Sequence, residues 1–337
     1  MLKTIVKKIL PDIIINKVKL YVARVKLYPA YNYDLKRYWR YSGTTRRKDT
    51  QSKLLGAIIM DYHVIEKGLT MPKTRLGFGY ERLERLIENC GIYIEKFDLN
   101  NFQFKNAIGV ILEYKNYHEE NNYQLKESIL NAIKKIENRL PKIEITKQLR
   151  FTKEEYFKFS KSNFLNFSNS RHSVRNFSKE EIPLNKLLKA LELTKNTPSA
   201  CNRQTSSLYV YTNKERINKI LEVQGGNRGF GHLVDKLIVL TADLSVFSYD
   251  YERNQAYIDG GIYAMNLLYA LHYYEIACCI LNCDHTVKKD MIMRKLCGIK
   301  EEEIFIAIFA CGNLPENFLA ASSARTPIQE KVIIHEK

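Results

Sequence analysis

The segment Ser170–Phe177, SRHSVRNF, places Arg171, His172, Ser173 and Arg175 within five residues. After the next predicted helix comes Thr197–Gln204, TPSACNRQ, which offers Ser199, Asn202 and Gln204 as small polar groups. Side chains alternate along an extended segment, so Arg171, Ser173 and Arg175 share one face. Two guanidinium groups flanking a hydroxyl suit a phosphate and an electron-rich ring edge better than a protein core. Together the two clusters supply fixed cations, hydroxyl donors and loop backbone for an anionic, planar, hydrogen-bonding ligand. The competing reading is a pair of surface ion pairs, which are common and weak. It accounts for the arginines but not for a second polar cluster closing the next helix.

These clusters need a scaffold, and the pattern from about residue 165 onward provides one. Pro183 stands at the first turn of a helix predicted over Leu184–Asn196. A strand over Ser207–Thr212 and a helix over Glu215–Val223 follow, then the loop GGNRGFG and a strongly apolar strand, Lys236–Asp243. The remaining elements are a long buried helix over Tyr257–Tyr274, a strand over Glu275–Leu281, a helix over Lys288–Cys297 closed by Gly298, and a core strand over Ile304–Gly312. Strands alternating with helices indicate an α/β or α+β layered domain.

The first 140 residues read as nearly all helix. Leu2, Ile5, Val6, Ile9, Leu10, Ile13 and Ile14 recur at helical spacing among lysines, and the apolar run Val18–Leu27 stops near Pro29. Such a basic amphipathic segment, residues 1–28, either lies on an anionic membrane surface or docks on its own protein. Residues 31–48 interleave Tyr31, Tyr33, Tyr38, Trp39 and Tyr41 with Lys36, Arg37, Arg40, Arg46, Arg47 and Lys48. With no nucleic-acid-binding motif nearby, this reads as a polar loop packing on a second domain, and no nucleic-acid partner is expected. A helix from Ser52 should end at Lys67-Gly68. Further helices follow over Tyr80–Phe97, Phe104–Tyr117 and Tyr123–Leu140, then a connector over Pro141–Asn169. Within the first of these helices His63, Glu66 and Lys67 share one face, a helix-terminal ion pair or something more.

Composition bounds the alternatives. A chain of 337 residues, 45% apolar and 27% charged, is globular and long enough for about two domains; a helical region over 1–150 and a second domain over 165–337 are expected. Thirteen of the Lys and Arg residues lie in the first 50 positions against Asp12, Asp34 and Asp49, so most of the +16 charge belongs to one end. Seven cysteines without CxxC pairs read as reduced thiols in a cytoplasmic protein, not as a disulfide framework or a metal site. No apolar run reaches the ~18–20 residues of a membrane span, and no signal-peptide cleavage pattern follows the N-terminus.

The glycines of GGNRGFG precede a strand, so they fail the context of a dinucleotide-binding fingerprint. No phosphate-binding GxxxxGK[ST], HExxH or GxSxG motif occurs, and Asp284-His285 beside Cys283 is only a fragment of a triad. The surviving motifs resemble a family. SRHSVRNF and TPSACNRQ are similar to the SRRSVRxF and APSxxNxQP signatures of the FMN-dependent nitroreductases. YIDGGIYAMNLLYALHYYEIACC resembles their central dimer helix and following turn, with Glu275 where glycine is usual. IFIAIFACGNLPE resembles their last core strand, and ASSARTP their terminal phosphate-binding element, with Ser323 where Lys is frequent. Cys201, Arg203 and Thr205 also depart from the pattern. HVIEKGL, His63–Leu69, resembles a segment accompanying such domains near bacterial surface-polysaccharide genes.

The resemblance implies an α+β fold: a nitroreductase-like mixed sheet flanked by helices, preceded by a mostly helical region. It implies an FMN-binding homodimer with flavin sites shared between subunits, and hydride passing from NAD(P)H through the flavin to a small organic acceptor in a ping-pong scheme. Arg171, His172, Ser173 and Arg175 would hold the phosphate, ribityl chain and pyrimidine edge. Pro198, Ser199, Ala200 and Asn202 would come from the partner subunit, and Ser323 and Arg325 would complete the phosphate site. Leu281, Asn282 and Cys283 would present backbone to the reactive flavin edge. The alternative is a flavin-fold protein without redox turnover, serving as a binding or assembly module at the inner membrane surface, in polysaccharide biosynthesis.

Overall fold

The computed structural model describes residues 11–41, 47–140, 143–283 and 285–335. Residues 1–10 of the basic N-terminal segment, Arg46, Pro141 and Asp284 lie outside the described residues. Five helices come first: α1 (Asp12–Tyr41), α2 (Gln51–Leu69), α3 (Tyr80–Lys96), α4 (Phe102–Glu120) and α5 (Glu127–Glu137). The apolar faces of α2–α5 meet in one core containing Leu54, Ile58, Ile65, Leu86, Tyr93, Phe104, Ile111 and Ile133. Asp61 of α2 is wholly buried in this region, and a carboxylate there is tolerable only with partners. Arg82 donates to it at 3.0 Å and Arg85 at 2.7 Å, which fastens α3 to α2.

Two expectations fail in this region for identifiable reasons. Pro29 does not stop the first helix; it sits inside α1, which continues through residues read as a loop. An interior proline removes one backbone bond and crowds the preceding turn, and the long runs on either side outlast that loss. No residue of α1 is buried, and Asp34 ties it to the rest through a two-pronged pair with Arg253 at 2.6 and 2.9 Å. Nor does Gly68 end α2 in a left-handed cap, since the helix runs to Leu69. A Cβ at Gly68 would lie 2.0 Å from the Phe78 ring, so the glycine is there for space.

The stretch expected to be a plain connector contains β1 (Leu149–Thr152), α6 (Lys153–Phe157) and α7 (Phe164–Ser170). Strand β1 is short and half-exposed, which hid it, and it pairs antiparallel with an equally short β6 (Asn317–Ala320) beyond the last predicted strand. Then come α8 (Leu184–Leu193), β2 (Ser206–Tyr211), α9 (Lys214–Gln224), β3 (Lys236–Asp243), α10 (Gln255–Tyr273), β4 (Ala277–Leu281), α11 (Val287–Cys297) and β5 (Glu303–Gly312). The main sheet has the order β2-β3-β5-β4. The fold is α+β, as expected, and every pairing in this sheet is antiparallel.

The sheet is covered on both faces, which explains the unbroken apolar run of β3. Leu237 and Val239 face a core with Ile217, Ile220 and Met293 of α9 and α11. Ile238 and Leu240 face Leu187, Leu267 and Leu271 of α8 and α10. Helix α10 is buried along this side only. Tyr257, Ile258, Ile262, Met265 and Tyr273 are exposed on it, which corrects the expectation of a helix buried all round.

Gly68→Ala is expected to cost about 1–3 kcal/mol of stability by overpacking against Phe78, measured by denaturant unfolding. The cost should shrink in a Phe78→Leu background, and an unchanged cost there would exclude the ring as its cause.

Candidate functional site

The RHSVRNF run is anchored by its apolar members. Val174 and Phe177 are buried. The Val174 amide donates to the Cys278 carbonyl on β4 at 3.0 Å. Phe177 packs against Gly312, where a Cβ would approach the ring to 2.5 Å, so only glycine lets the run close onto the end of β5. At its start the Tyr156 hydroxyl donates to the His172 carbonyl (2.7 Å) and faces the His172 amide (3.2 Å). Arg171, His172, Ser173 and Arg175 are left half-buried between these anchors.

Arg175 lies beside Cys279 of β4 and near Lys67 of α2. Burial pushes the Cys279 thiol up, with the Arg175 and Lys67 charges acting against it. Burial and then the Arg175 charge pull the Lys67 ammonium below its ordinary value. Burial, followed by the charges of Arg171 and Arg325, does the same to His172. Arg171, Arg175, Arg325 and Lys67 therefore gather along one seam. Among the described residues, none of the four takes part in an ion pair. Two surface ion pairs, the bland reading of the arginines, are not seen among the described residues.

The loop after β6 reaches the seam through α2. Glu66 is wholly buried; its Oε1 accepts from the Ser322 hydroxyl (2.6 Å) and the Ser323 amide (3.0 Å), and its Oε2 lies 2.9 Å from His63 Nδ1. Burial opposes ionisation, yet the bonds from His63, Ser322 and Ser323 outweigh it and hold the carboxyl below its usual range. Gln103 of α4 fastens the same loop, donating to the Ala324 carbonyl at 3.3 Å and to Thr326 Oγ1 at 2.9 Å. The Ser323 backbone sits at φ 46°, strained for a residue other than glycine and held there by these bonds. Arg325, exposed, donates to the Ser323 carbonyl.

The second cluster lies elsewhere. Cys201, Asn202 and Gln204 have φ of 53°, 54° and 52°, and this tight turn after α8 is held by the Ser199 hydroxyl, which accepts from the Gln204 amide at 2.9 Å. The Ala200 amide donates to both oxygens of Asp259, near the start of α10. Arg203 leaves the cluster to pair with Glu252 at 2.6 Å. Pro198, Ser199, Gln204, Asp259 and Tyr263 line a small cleft there. The first cluster is tied instead to the far end of α10, where Ser170 Oγ lies 2.8 Å from His272 Nε2. Residues 259 and 272 are about 20 Å apart along a helix at 1.5 Å per residue. Within one chain the two clusters do not meet.

Leu281 ends β4, two positions beyond Cys279 on the strand that carries the first cluster, and the Asn282 carbonyl accepts from Gln224 at 3.2 Å. His285 places its ring 5.8 Å from that of Phe305. Glu275, standing where the resembled family has glycine, has a φ of 54°, the conformation that favours glycine. Sequence reasoning missed Gln103, Asp259 and His272. Each lies inside a helix whose pattern explained it as scaffold, so no local signal singled it out. Among the described residues no cluster of His, Cys, Asp and Glu could hold a metal ion, and no helix is long and apolar enough to cross a membrane.

Burial, with the Arg171 and His172 charges added, lowers His272 to about 4 from an ordinary 6.5. The Ser170 proton goes to the Phe167 carbonyl at 2.9 Å, so its oxygen is left to accept from His272 Nε2–H. A depressed folded value means that this contribution to stability is intact above pH 6.5 and lost as the pH falls toward 4. The loss is on the order of 3 kcal/mol. The urea midpoint should fall across that window in the wild type and fall less in His272→Gln.

The sequence matches none of the curated proteins. Solved structures similar to about half of it include an FMN-dependent nitroreductase from Clostridium difficile R20291 at 18% identity, covering 52% of this chain and 99% of that one, with a TM-score of 0.43. A nitroreductase-like family protein from Bacillus cereus aligns at 16% identity, covering 52% and 97%, with a TM-score of 0.45. The Nitroreductase family model matches residues 169–227, a span that holds both clusters and the helix between them. That part of the chain is similar to the nitroreductase family, in line with the resemblance of its two motifs.

Proposed function

We propose that this protein is an FMN-dependent oxidoreductase whose flavin sites are shared between two copies of the chain. The observation that carries the reading is the set of half-buried cations, Arg171, Arg175 and Lys67, without an anionic partner among the described residues and with Ser173 between the two arginines. Burying like charges together is unfavourable unless an anion joins them, and a flavin phosphate with an electron-rich pyrimidine ring is such an anion. Bound there, FMN would supply hydride transfer from NAD(P)H to a small organic acceptor, the two substrates taking turns.

The chain's own residues divide the binding. Arg171, His172 and Arg325 would hold the phosphate, Ser173 the ribityl chain and Arg175 the pyrimidine edge. A fixed charge at that edge favours the more negative, reduced ring. Ser323 is committed to Glu66 through its amide, which leaves Arg325 as the main contribution of that loop. The backbone of Leu281, Asn282 and Cys283 would lie along the reactive edge. Pro198, Ser199, Ala200 and Asn202 would complete the site from the partner, since within one chain they sit at the wrong end of α10. The exposed stripe on α10, with open space over Gly261, supports a helix-to-helix dimer contact. The separate cores of residues 54–143 and 149–320 support a division into a helical region over 1–150 and a flavin domain over 165–337. A cytoplasmic site of action accords with seven free cysteines.

One observation favours the rival reading of a membrane-surface assembly module. Helix α1 carries Ile13, Leu20, Tyr21, Tyr28 and Trp39 exposed, with basic residues between them. Flotation with anionic liposomes that persists after deletion of residues 1–41 would remove α1 from that role.

Purified protein is expected to show a flavin spectrum that anaerobic NAD(P)H bleaches; a colourless protein unable to bind added FMN would end the proposal. Arg175→Ala should weaken FMN binding roughly ten- to hundredfold, the loss of one charge-assisted contact, and make the potential more negative. Ile262→Asp should turn a dimer into a monomer in sedimentation and lose flavin with it. A flavin-loaded monomer would refute the shared site.

A further inference from the structure

The helical region reaches the cofactor groove with one side chain of its own. Glu66 and Lys67 are neighbours on α2, and Glu66 is pinned to the loop after β6 by Ser322 and Ser323, so the end of α2 cannot drift from the seam. On the other side of the seam the Val174–Cys278 bond fixes Arg175 against β4. Met71, just past α2, packs against Gly229 of the GGNRGFG loop, where a Cβ would come within 2.8 Å of its sulfur. Lys67 is thereby set, half-buried, near enough to Arg175 and Cys279 for their charges to act on one another.

The nearest carboxylate is already spent. Both oxygens of Glu66 are engaged, Oε1 by two donors and Oε2 by His63. Asp61, one turn earlier on the same helix, is held by Arg82 and Arg85. Among the described residues, Lys67 has no ion-pair partner. Like charges held near one another repel, and the more so where burial keeps water from between them. A chain gains nothing by holding Lys67 against Arg175 unless a third, negative group belongs between them.

We infer that Lys67 is a cofactor-binding residue, contributed by the helical region to the pyrimidine edge of the flavin alongside Arg175. The inference rests on the flavin reading above and adds a residue outside the family-matched segment. It gives the helical region a direct part in setting affinity and potential. It also makes docking of that region and binding of flavin favour one another, because the anion relieves a repulsion across the seam.

The test uses the full-length protein stripped of flavin. Lys67→Met keeps the aliphatic stem and removes the charge, and Lys67→Arg keeps the charge. Lys67→Met is expected to leave the thermal midpoint of the flavin-free protein unchanged or raised. It should weaken binding of both FMN and riboflavin roughly tenfold and shift the flavin potential negative, with Lys67→Arg recovering most of each. A variant with wild-type affinity and potential overturns the inference. So does a loss confined to FMN, which would put the charge at the phosphate, and so does a flavin-free protein destabilised by Lys67→Met, which would make the residue structural. Wild-type protein that binds neither flavin fails differently: it removes the flavin reading itself and this inference with it.

Discussion

A buried carboxylate must find partners or give up its charge, and the junction in this molecule rests on how Glu66 meets that requirement. Its partners come from its own helix, through His63, and from the loop after β6, through Ser322 and Ser323. Because one oxygen is shared between two donors of that loop, the bond fixes orientation as well as distance. The loop then carries Arg325, the helix carries Lys67, and Gln103 of a second helix grips the same loop from the side. Asp61 and its two arginines hold α2 from behind. A short stack of satisfied carboxylates thus sets the geometry of a group of cations that form no ion pair among the described residues.

That contrast separates two kinds of positive charge. Most of the +16 net charge belongs to the first fifty residues, and most of the described part of it lies on α1, open to solvent. Solvated charge of this kind is screened within a Debye length and shapes solubility and encounter more than fold. The seam holds only a few cations, but Arg171, Arg175 and Lys67 among them are half-buried, and burial with mutual repulsion depresses both Lys67 and His172. A handful of desolvated charges therefore says more about function here than the whole of the net charge.

The sequence was legible where physical signals were local and strong. The continuous apolar run of β3 and the Gly298 cap with its φ of 66° each carry their cause within a few residues. The first cluster was legible for the same reason, since period-two spacing puts its cations on one face. Legibility failed where the cause lay elsewhere in the chain. Gly68 looked like a helix stop because the Phe78 ring above it is ten residues away. Strands β1 and β6 are four residues each, too short to signal by themselves, and each is paired only with the other. The HVIEKGL face was visible, but whether it was a local ion pair or something more depended on a loop more than 250 positions later.

Helix α10 also acts as a ruler. Its two ends hold the two clusters at a fixed separation, one through Asp259 and the other through His272. When two such rulers lie side by side in opposite directions, each end of one meets the complementary end of the other, and both junctions are completed at once. Such a pairing admits no half-built state with a single finished site. In the proposed dimer, the length of one helix would set the distance between the two flavin sites.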